Sequence, residues 1–292
     1  MSVTSGPRVI DLNADLGESF GAWALGDDAA MLDVVTSANV ATGFHAGDPG
    51  TLLRTVGHAA RRGVAVGAQV GYRDLGGFGR RFVDVDPEEL EAEVLYQLGA
   101  LDGLARVMGT RVTYVKPHGA LYHAVAHHER QARALVRAMH DWARTHGHRS
   151  MPLLHQAGSL AHRVAQGEGI PVVTEAFADR GYRPDGRLVP RGEPGALLEN
   201  PQEVAERLVR LAVEGVVTAV GGTEVEVRAE SICVHGDTPG AVGLARQVRE
   251  ALERAGIQLA SFAPPPGAAG PGEPPSADAP SESSPPVADG PG

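Results

Sequence analysis

Short apolar segments alternate with longer helical stretches along most of this chain, and this alternation constrains its fold more than any other feature. Runs rich in β-branched residues stand at 8–12, 33–40, 64–70, 112–115, 152–154, 171–174, 231–234 and 258–262. Strands that alternate with helices form βα units and a parallel sheet. We therefore predict an α/β fold, a TIM-like (β/α) barrel with seven or eight strands, rather than an open doubly wound sheet. No dinucleotide fingerprint follows the first run, which weakens a Rossmann alternative.

The helical stretches carry capping residues and apolar side chains that recur every three to four positions. Asp86 followed by Pro87 predicts the start of a helix that runs to residue 108. Asn200 and Pro201 give the same start signal for a later helix. A third apolar stripe lies within 52–60.

Composition divides the chain into three parts. Residues 1–7 are predicted to be a flexible N-terminus, and residues 8–262 to be the barrel domain. Residues 263–292 hold ten of the 21 prolines, four acidic residues and no basic residue. That composition is typical of a disordered acidic tail, because it offers almost nothing that could form a core.

Charge and cysteine content exclude several classes of function. The net charge of −10 argues against nucleic acid as a partner. The single cysteine, Cys233, rules out a disulfide framework and makes a reducing, cytoplasmic setting the default. No apolar run approaches the roughly 18–20 residues that span a bilayer, and the first residues lack the apolar stretch of a signal peptide. We expect a cytoplasmic protein with no membrane partner.

The basic residues are 25 arginines and one lysine, Lys116. This bias indicates a high-GC genome and says nothing about function, but it makes the one remaining lysine informative. Lys116 follows the fourth apolar run and is two residues before His118. Either it survived by chance, or the site needs a compact ammonium that a planar guanidinium cannot replace.

Polar residues cluster where the apolar runs end, which in a (β/α) barrel is the active-site face. Asp11, Asn13 and Asp15 follow one another at every second position, so an extended chain places them on one side. Paired carboxylates can bind a metal or share a proton. The alternative is turn and capping chemistry, which Asp and Asn also favour.

Two histidines stand in matching strand-to-helix settings. His45 precedes the helix start at Asp48, and His235 precedes a similar start at Asp237. A helix N-terminus carries partial positive charge, and the repetition favours a functional role for both histidines. Seven further histidines lie in or beside helical stretches and are predicted to be solvated; they are His58, His123, His127, His128, His140, His146 and His148.

A glycine-rich segment follows the third run and leads to Arg80 and Arg81. It could receive a carboxylate or a phosphate, or it could be a surface loop. It is not a P-loop, because the chain lacks the Gly-Lys-Ser/Thr sequence. A dense polar set comprising Glu175, Asp179 and Arg180 follows the sixth run.

Several of these segments together resemble the LamB/YcsF family over roughly Val9 to Ala260. The segments are Asp11–Glu18, Ser37–Asn39, Gly43–Asp48, Gly79–Arg81, Tyr96–Leu101, Val115–Tyr122, Phe177–Arg180 and Cys233–Asp237. The resemblance implies a (β/α) barrel related to the glycoside hydrolase/deacetylase superfamily. It also implies cleavage of 5-oxo-L-proline to L-glutamate, coupled to hydrolysis of ATP as co-substrate, in a complex with B and C subunits.

The sequence departs from the family pattern at Gln69, where the family usually has histidine, and at Thr42, where it usually has cysteine. Glutamine is neither a proton shuttle nor a good soft-metal ligand. Gln69 therefore leaves open a catalytically altered member of a multisubunit enzyme. The implied superfamily kinship and the Asp and His content leave open a second alternative, a stand-alone, metal-dependent amidohydrolase or deacetylase.

Residue chemistry suggests roles within this reaction. Asp15 or His45 is expected to activate water, and Lys116 and His118 to stabilise negative charge. Arg80 or Arg180 is expected to hold the substrate carboxylate. The full catalytic set is Asp15, His45, Lys116, His118, His235 and Asp237. The substrate-binding set is Asp11, Asn13, Asn39, Arg80, Glu175, Asp179 and Arg180. A divalent metal remains possible and unassigned.

Overall fold

The computed structural model describes residues 8–146, 150–190, 192–198, 200–234 and 240–263. The predicted flexible N-terminus at 1–7 and nearly all of the predicted tail lie outside these residues, as do His148, His235 and Asp237. None of the described helices is long and apolar enough to cross a bilayer.

Seven parallel strands close into a barrel, as the alternation of apolar runs and helices predicts. In chain order they are β1 (Val9–Leu16), β2 (Ser37–Ala41), β3 (Ala65–Val70), β4 (Val112–Pro117), β5 (Leu153–Gln156), β6 (Val172–Phe177) and, after a hairpin of β7 (Val216–Thr218) and β8 (Glu224–Glu226), β9 (Ser231–Val234). Strands β1 to β6 pair in sequence, and β9 pairs with both β6 and β1. The prediction of a TIM-like barrel is therefore confirmed.

The eighth apolar run contributes β10 (Gln258–Leu259), which pairs only with the first two residues of β1. The antiparallel β7–β8 hairpin was not predicted. Each of its strands has only three residues, and β8 alternates exposed and half-buried positions, so the segments were not recognised as strands.

Helices surround the barrel and bury its outer face. They are α1 (Asp28–Met31), α2 (Pro49–Arg62), α3 (Pro87–Val107), α4 (Gly119–Val125), α5 (Glu129–Thr145), α6 (Leu160–Gly167), α7 (Pro201–Glu214) and α8 (Ala241–Arg254). The predicted starts are confirmed by their caps: the Asp86 side chain accepts from Glu88 N, and the Asn200 side chain accepts from Gln202 N. Such caps satisfy amides that have no partner within the helix.

Three strands extend further than their apolar runs predict, because polar side chains point into the barrel while apolar ones point out. β1 continues to Leu16, β4 to Pro117 and β6 to Phe177. Lys116 and Glu175 were expected just after their strands, but they lie within β4 and β6. The inward faces of these strands therefore carry the polar groups described below.

The amino end of the barrel is closed by the last described residues. The ring of Phe262 packs on the Tyr114 ring, with centroids 4.9 Å apart, and Ser261 Oγ lies 2.9 Å from Ser37 Oγ. Ala263 joins the same small apolar cluster. This packing leaves the carboxyl end of the barrel as the open side.

Candidate functional site

A cavity of about 650 Å³ opens at the carboxyl end of the barrel strands. Its inner part is lined by Asp15, Glu18, Lys116 and His118, and its outer part by Arg80, Phe82, Tyr122, His123, His127, His128, Phe177, Arg180 and Leu188. Pockets that bind small molecules have volumes of about 300–1,000 Å³. The location agrees with the rule that barrel enzymes act at this face.

Lys116 is the central cation of the cavity floor. Its ammonium lies 2.7 Å from Glu175 Oε1 and 3.1 Å from Asp15 Oδ1, and it is 3.2 Å from Cys233 Sγ. Burial alone would lower the pKa of Lys116, but the charges around it, chiefly Asp15, raise that pKa well above its ordinary value. Lys116 is therefore charged, and it is paired with carboxylates inside the barrel.

The two neighbouring carboxylates differ in exposure. The Glu175 side chain is completely buried, and burial raises its pKa against the opposing effect of Lys116. The Asp15 side chain keeps 14% of its surface exposed to the cavity. Asp15 is therefore the carboxylate of this pair that a ligand in the cavity can reach.

Two asparagines predicted to bind substrate instead support Asp15 and Lys116 from beneath. Asn39 Nδ2 donates to Asp15 Oδ1 at 2.9 Å and to Asn13 Oδ1 at 2.7 Å, and Tyr114 OH donates to Asn39 Oδ1 at 2.7 Å. Asn13 Oδ1 also accepts from Lys116 at 3.3 Å. Both asparagines are completely buried and do not line the cavity, so the expectation of direct substrate contact is corrected.

Asp11 lies at the opposite end of the barrel from the cavity. Its carboxylate accepts from the hydroxyls of Thr36, Ser37 and Ser231 near the strand beginnings. The alternation of β1 does put Asp11 and Asp15 on one face, but four residues along a strand separate them by about 13 Å. The prediction that Asp11 binds substrate is therefore wrong, because it considered the face of the strand and not the depth in the barrel.

Beside Asp15 lies a compact group of Glu18, His45, Gln69 and His118, of which Glu18 and His118 line the cavity. The rings of His45 and His118 are stacked, with centroids 4.0 Å apart and planes 11° from parallel. Burial lowers the pKa of His118 to about 4 and that of His45 well below its ordinary range. His45 is completely buried and does not line the cavity, so Asp15 is better placed than His45 to activate water.

Glu18, His45 and His118 offer donor atoms that all lie within 4.8 Å of one another. One carboxylate oxygen and two imidazole nitrogens are a set that suits a divalent ion such as Zn²⁺ by donor type. The carboxamide of Gln69 lies among these donors and hydrogen-bonds all three side chains. The donor types therefore fit a divalent metal, but each of the three side chains is hydrogen-bonded to the Gln69 carboxamide instead.

The predicted arginines take different positions. Arg80 is exposed at the cavity mouth, with its guanidinium 4.9 Å from the Phe78 ring centre. Arg180 is buried and donates to the carbonyls of Val189 and Ala196, so it braces the loop after β6 while also lining the cavity. Arg80 therefore remains the better placed of the two to meet a substrate carboxylate.

Asp179 does not line the cavity, and its charge acts on the Arg207 guanidinium behind the β6 loop. This position does not support the prediction that Asp179 binds substrate. The structure does not describe His235 and Asp237, so their predicted catalytic roles lie outside the described residues.

The glycine-rich segment after β3 does not form a phosphate cradle. Its backbone amides at Gly77, Phe78, Gly79 and Arg80 donate to carbonyls of the same loop, including Asp74 O and Leu75 O. Amides that are already bonded cannot receive an anion in the manner of a P-loop. The loop therefore offers no backbone cradle for phosphate, although its arginines can still meet an anion. No ATP site is assigned to the described residues of this chain.

Sequence reasoning missed Glu18 and misread Gln69. Glu18 follows Gly17, whose φ of +70° turns the chain, so the alternation of β1 could not place Glu18 beside Asp15. Gln69 was recognised only as a departure from a pattern, although it lies at the centre of the group. Three of the histidines predicted to be solvated, His123, His127 and His128, are exposed as expected but line the cavity mouth.

Comparisons with known proteins agree with this architecture. The family model described as LamB/YcsF family matches residues 10–266. A protein of Kocuria rhizophila named as the A subunit of 5-oxoprolinase is 56% identical over 255 residues, covering 87% of this chain and 99% of the relative. A protein of the same name from Streptomyces avermitilis is 59% identical over 255 residues, covering 87% of this chain and all of the relative.

A crystal structure of a lactam utilization protein from Thermus thermophilus has a similar fold. Its TM-score is 0.82 at 44% identity, and the match covers 87% of this chain and 100% of that one. The parts of this chain outside these matches are mainly its ends.

Proposed function

Because the chain belongs to the LamB/YcsF family, we propose that it is the A subunit of an ATP-dependent 5-oxoprolinase. Such an enzyme cleaves 5-oxo-L-proline to L-glutamate while hydrolysing ATP to ADP and phosphate. The observation that carries the proposal is the 56–59% identity to relatives that are named as the A subunit of 5-oxoprolinase. The cavity floor of Asp15 and Lys116 supplies the groups that hydrolysis of a cyclic amide needs.

An amide carbonyl is a poor electrophile because resonance stabilises it, and phosphorylation of its oxygen makes the ring carbon more open to attack by water. We assign ATP binding and that phosphorylation to the B and C subunits. This chain lacks the Gly-Lys-Ser/Thr sequence of a P-loop, and four amides of its glycine-rich loop are already bonded within the loop. This chain then receives the activated ring in its cavity and directs water onto it.

The geometry suggests a role for each group on the floor. Asp15 takes a proton from water as the water oxygen bonds to the carbon that carries the phosphorylated oxygen. The ring C–N bond then breaks, and its electron pair and the proton go to nitrogen, which becomes the amine of glutamate. A second water releases phosphate from the remaining acyl phosphate and leaves the side-chain carboxylate. The Lys116 ammonium, held beside Asp15, stabilises negative charge that develops next to it. Arg80 at the mouth binds the substrate carboxylate, since a guanidinium pairs well with that group. Glu175 keeps Lys116 charged and in position through their 2.7 Å ion pair.

The test is reconstitution with the cognate B and C subunits, followed by measurement of glutamate and ADP. We expect both products to form only when all three proteins, ATP and 5-oxoproline are present. Three control reactions omit this chain, ATP or the partner subunits in turn. ATP-coupled turnover by this chain alone would contradict the division of labour, and a complex that forms no glutamate would contradict the function.

The alternative of a stand-alone, metal-dependent amidohydrolase rests on the donor set of Glu18, His45 and His118. The position of Gln69 among those donors weighs against it. An amidase or deacetylase activity of the purified chain that chelators abolish and zinc restores would favour this alternative.

A further inference from the structure

Three side chains that could bind a metal converge instead on one carboxamide. Gln69 Nε2 lies 3.1 Å from Glu18 Oε1 and 2.9 Å from His118 Nδ1, while Gln69 Oε1 lies 3.1 Å from His45 Nε2. Gln69 is completely buried in β3. The carboxamide therefore connects Glu18, His45 and His118 in a single hydrogen-bonded unit.

The chemistry of these partners determines how the carboxamide is oriented. An ionised carboxylate only accepts hydrogen bonds, so the Gln69 NH₂ group must face Glu18. The second N–H of that group then points at His118 Nδ1, which must carry a lone pair. The carbonyl oxygen faces His45 Nε2, which must carry a proton.

An independent contact leads to the same protonation of His118. Its Nε2 lies 3.0 Å from the carbonyl oxygen of Phe78, which can only accept. The proton of His118 is therefore on Nε2, and Nδ1 has the lone pair that the Gln69 amide requires. Two unrelated partners thus select one neutral tautomer.

The stacked arrangement of the histidine rings agrees with this neutral state. Two parallel imidazolium rings 4.0 Å apart would repel each other, whereas two neutral rings can stack. Glycines pack directly on the stack: a Cβ at Gly71 would lie 2.6 Å from His45 Nδ1, and one at Gly79 would lie 2.8 Å from His45 Cβ. The pair is held too tightly to rearrange freely.

We propose that the Gln69 carboxamide takes the place of a divalent metal ion in this cluster, and that the side chain at position 69 decides whether the cluster binds one. An ion bound here would lie about 2.0–2.2 Å from one donor atom of each of Glu18, His45 and His118, and each of those atoms would need a free lone pair. The carboxamide occupies that space, and His45 Nε2 carries a proton where a ligand needs a lone pair. Removal of the amide frees the donors, and histidine at position 69 adds a further imidazole.

The test is cobalt binding, because Co²⁺ at a nitrogen- and oxygen-rich site absorbs visible light. Wild type, Gln69→His and Gln69→Ala are titrated with Co²⁺, and bound metal is counted after dialysis. We expect Gln69→His to bind one equivalent of Co²⁺ about 10–100-fold more tightly than wild type. Addition of His45→Phe to Gln69→His should abolish this binding. Gln247→His, which adds a histidine on the exposed face of α8, is the matched control and should behave as wild type.

Two results would overturn the proposal. One is a folded Gln69→His protein with no gain in cobalt affinity. The other is wild-type protein that binds one equivalent of Co²⁺ and loses it on His45→Phe substitution. If Gln69→His does not fold, nitrogen-15 NMR of wild-type histidines decides: protonated Nε2 on both His45 and His118 supports the proposal, and protonated Nδ1 on either contradicts it.

Discussion

At the scale of single residues, the floor of the cavity depends on one buried ammonium between two carboxylates. Lys116 is 2% exposed, and its nearest oxygens belong to Glu175 and Asp15. Removal of one member of a buried ion pair leaves an uncompensated charge, which typically costs about 3–5 kcal/mol. The shape of the cation should matter as much as its charge, because a guanidinium is planar and larger than an ammonium.

Lys116→Arg tests that requirement. The charge is kept and only the geometry changes, so we expect glutamate formation by the reconstituted complex to fall about 100–1000-fold. Arg130→Lys, at a side chain 72% exposed on α5, is the reverse exchange and should change nothing. More than about half the wild-type rate in Lys116→Arg would mean that this lysine survived compositional drift by chance.

Asp11, at the closed end of the barrel, provides a pH test of stability. Burial raises its pKa from 3.8 to about 6 despite three hydroxyl donors. A raised carboxyl pKa means that the folded state holds its proton more tightly than the unfolded state. The resulting stabilisation is complete below about pH 4 and is lost as pH rises through about 6, and two pKa units correspond to about 3 kcal/mol.

We therefore expect the free energy of unfolding of wild type, minus that of Asp11→Asn, to fall by about 2 kcal/mol between about pH 4 and pH 7. Urea unfolding at both pH values measures this difference. The subtraction cancels the contributions of all groups that titrate equally in both proteins. An equal difference at the two pH values would show that Asp11 has an ordinary pKa.

At the scale of elements, neighbouring strands are fitted around particular side chains. The Tyr114 ring of β4 lies over Gly67 of β3, and a Cβ at Gly67 would be 2.1 Å from that ring. This close approach lets Tyr114 OH reach Asn39 on β2. The support beneath Asp15 therefore depends on a glycine two strands away.

Gly67→Ala should destabilise the fold by about 1–3 kcal/mol, because either the tyrosine ring or the strand must move. Gly103→Ala is the matched control: it lies on the exposed face of α3, and a Cβ there meets nothing within 4 Å. Alanine in a helix should raise stability by about 0.5–1 kcal/mol. Chemical denaturation measures the free energy of unfolding of both variants. Equal changes in the two would contradict the packing described.

The closure of the barrel at its amino end gives a second prediction at this scale. Phe262→Ala removes the ring that packs on Tyr114, and it should cost about 1–3 kcal/mol because Phe262 is only partly buried.

Truncation of the chain tests the segment beyond the described residues. A chain that ends at Ala263 keeps every described contact, so its melting temperature should stay within about 5 °C of wild type. A larger loss on truncation would show that residues 264–292 contribute to the fold.

At the scale of the whole molecule, the sequence predicted the architecture better than the site. The alternation of apolar runs and helices was enough for the barrel, because each run is buried on its outer face. It could not predict depth along the barrel axis, so Asp11 and Asp15 were grouped although they lie at opposite ends. Glu18 was missed because Gly17 turns the chain and interrupts the alternation.

The sequence also could not predict which polar side chains already have all their hydrogen-bond partners within the fold. Asn13 and Asn39 have the right chemistry to bind substrate, but the barrel uses their amides to hold Asp15 and Lys116. His118 has the right chemistry to act as a base, yet Gln69 and Phe78 occupy both of its ring nitrogens. Such assignments depend on which partners the fold brings within about 3 Å, the ordinary hydrogen-bond distance, and spacing along the chain does not encode this.

The most direct test of the central claim, that Asp15 on the cavity floor activates water for lactam hydrolysis, is glutamate formation by the complex assembled with Asp15→Asn. Asparagine keeps the shape and the hydrogen bond from Asn39 but cannot accept a proton from water. The account predicts a fall of about 100–1000-fold in glutamate formation. The complex should still assemble, because Glu175 continues to pair with Lys116 after Asp15 loses its charge. Glutamate formation near the wild-type rate by the Asp15→Asn complex would contradict it.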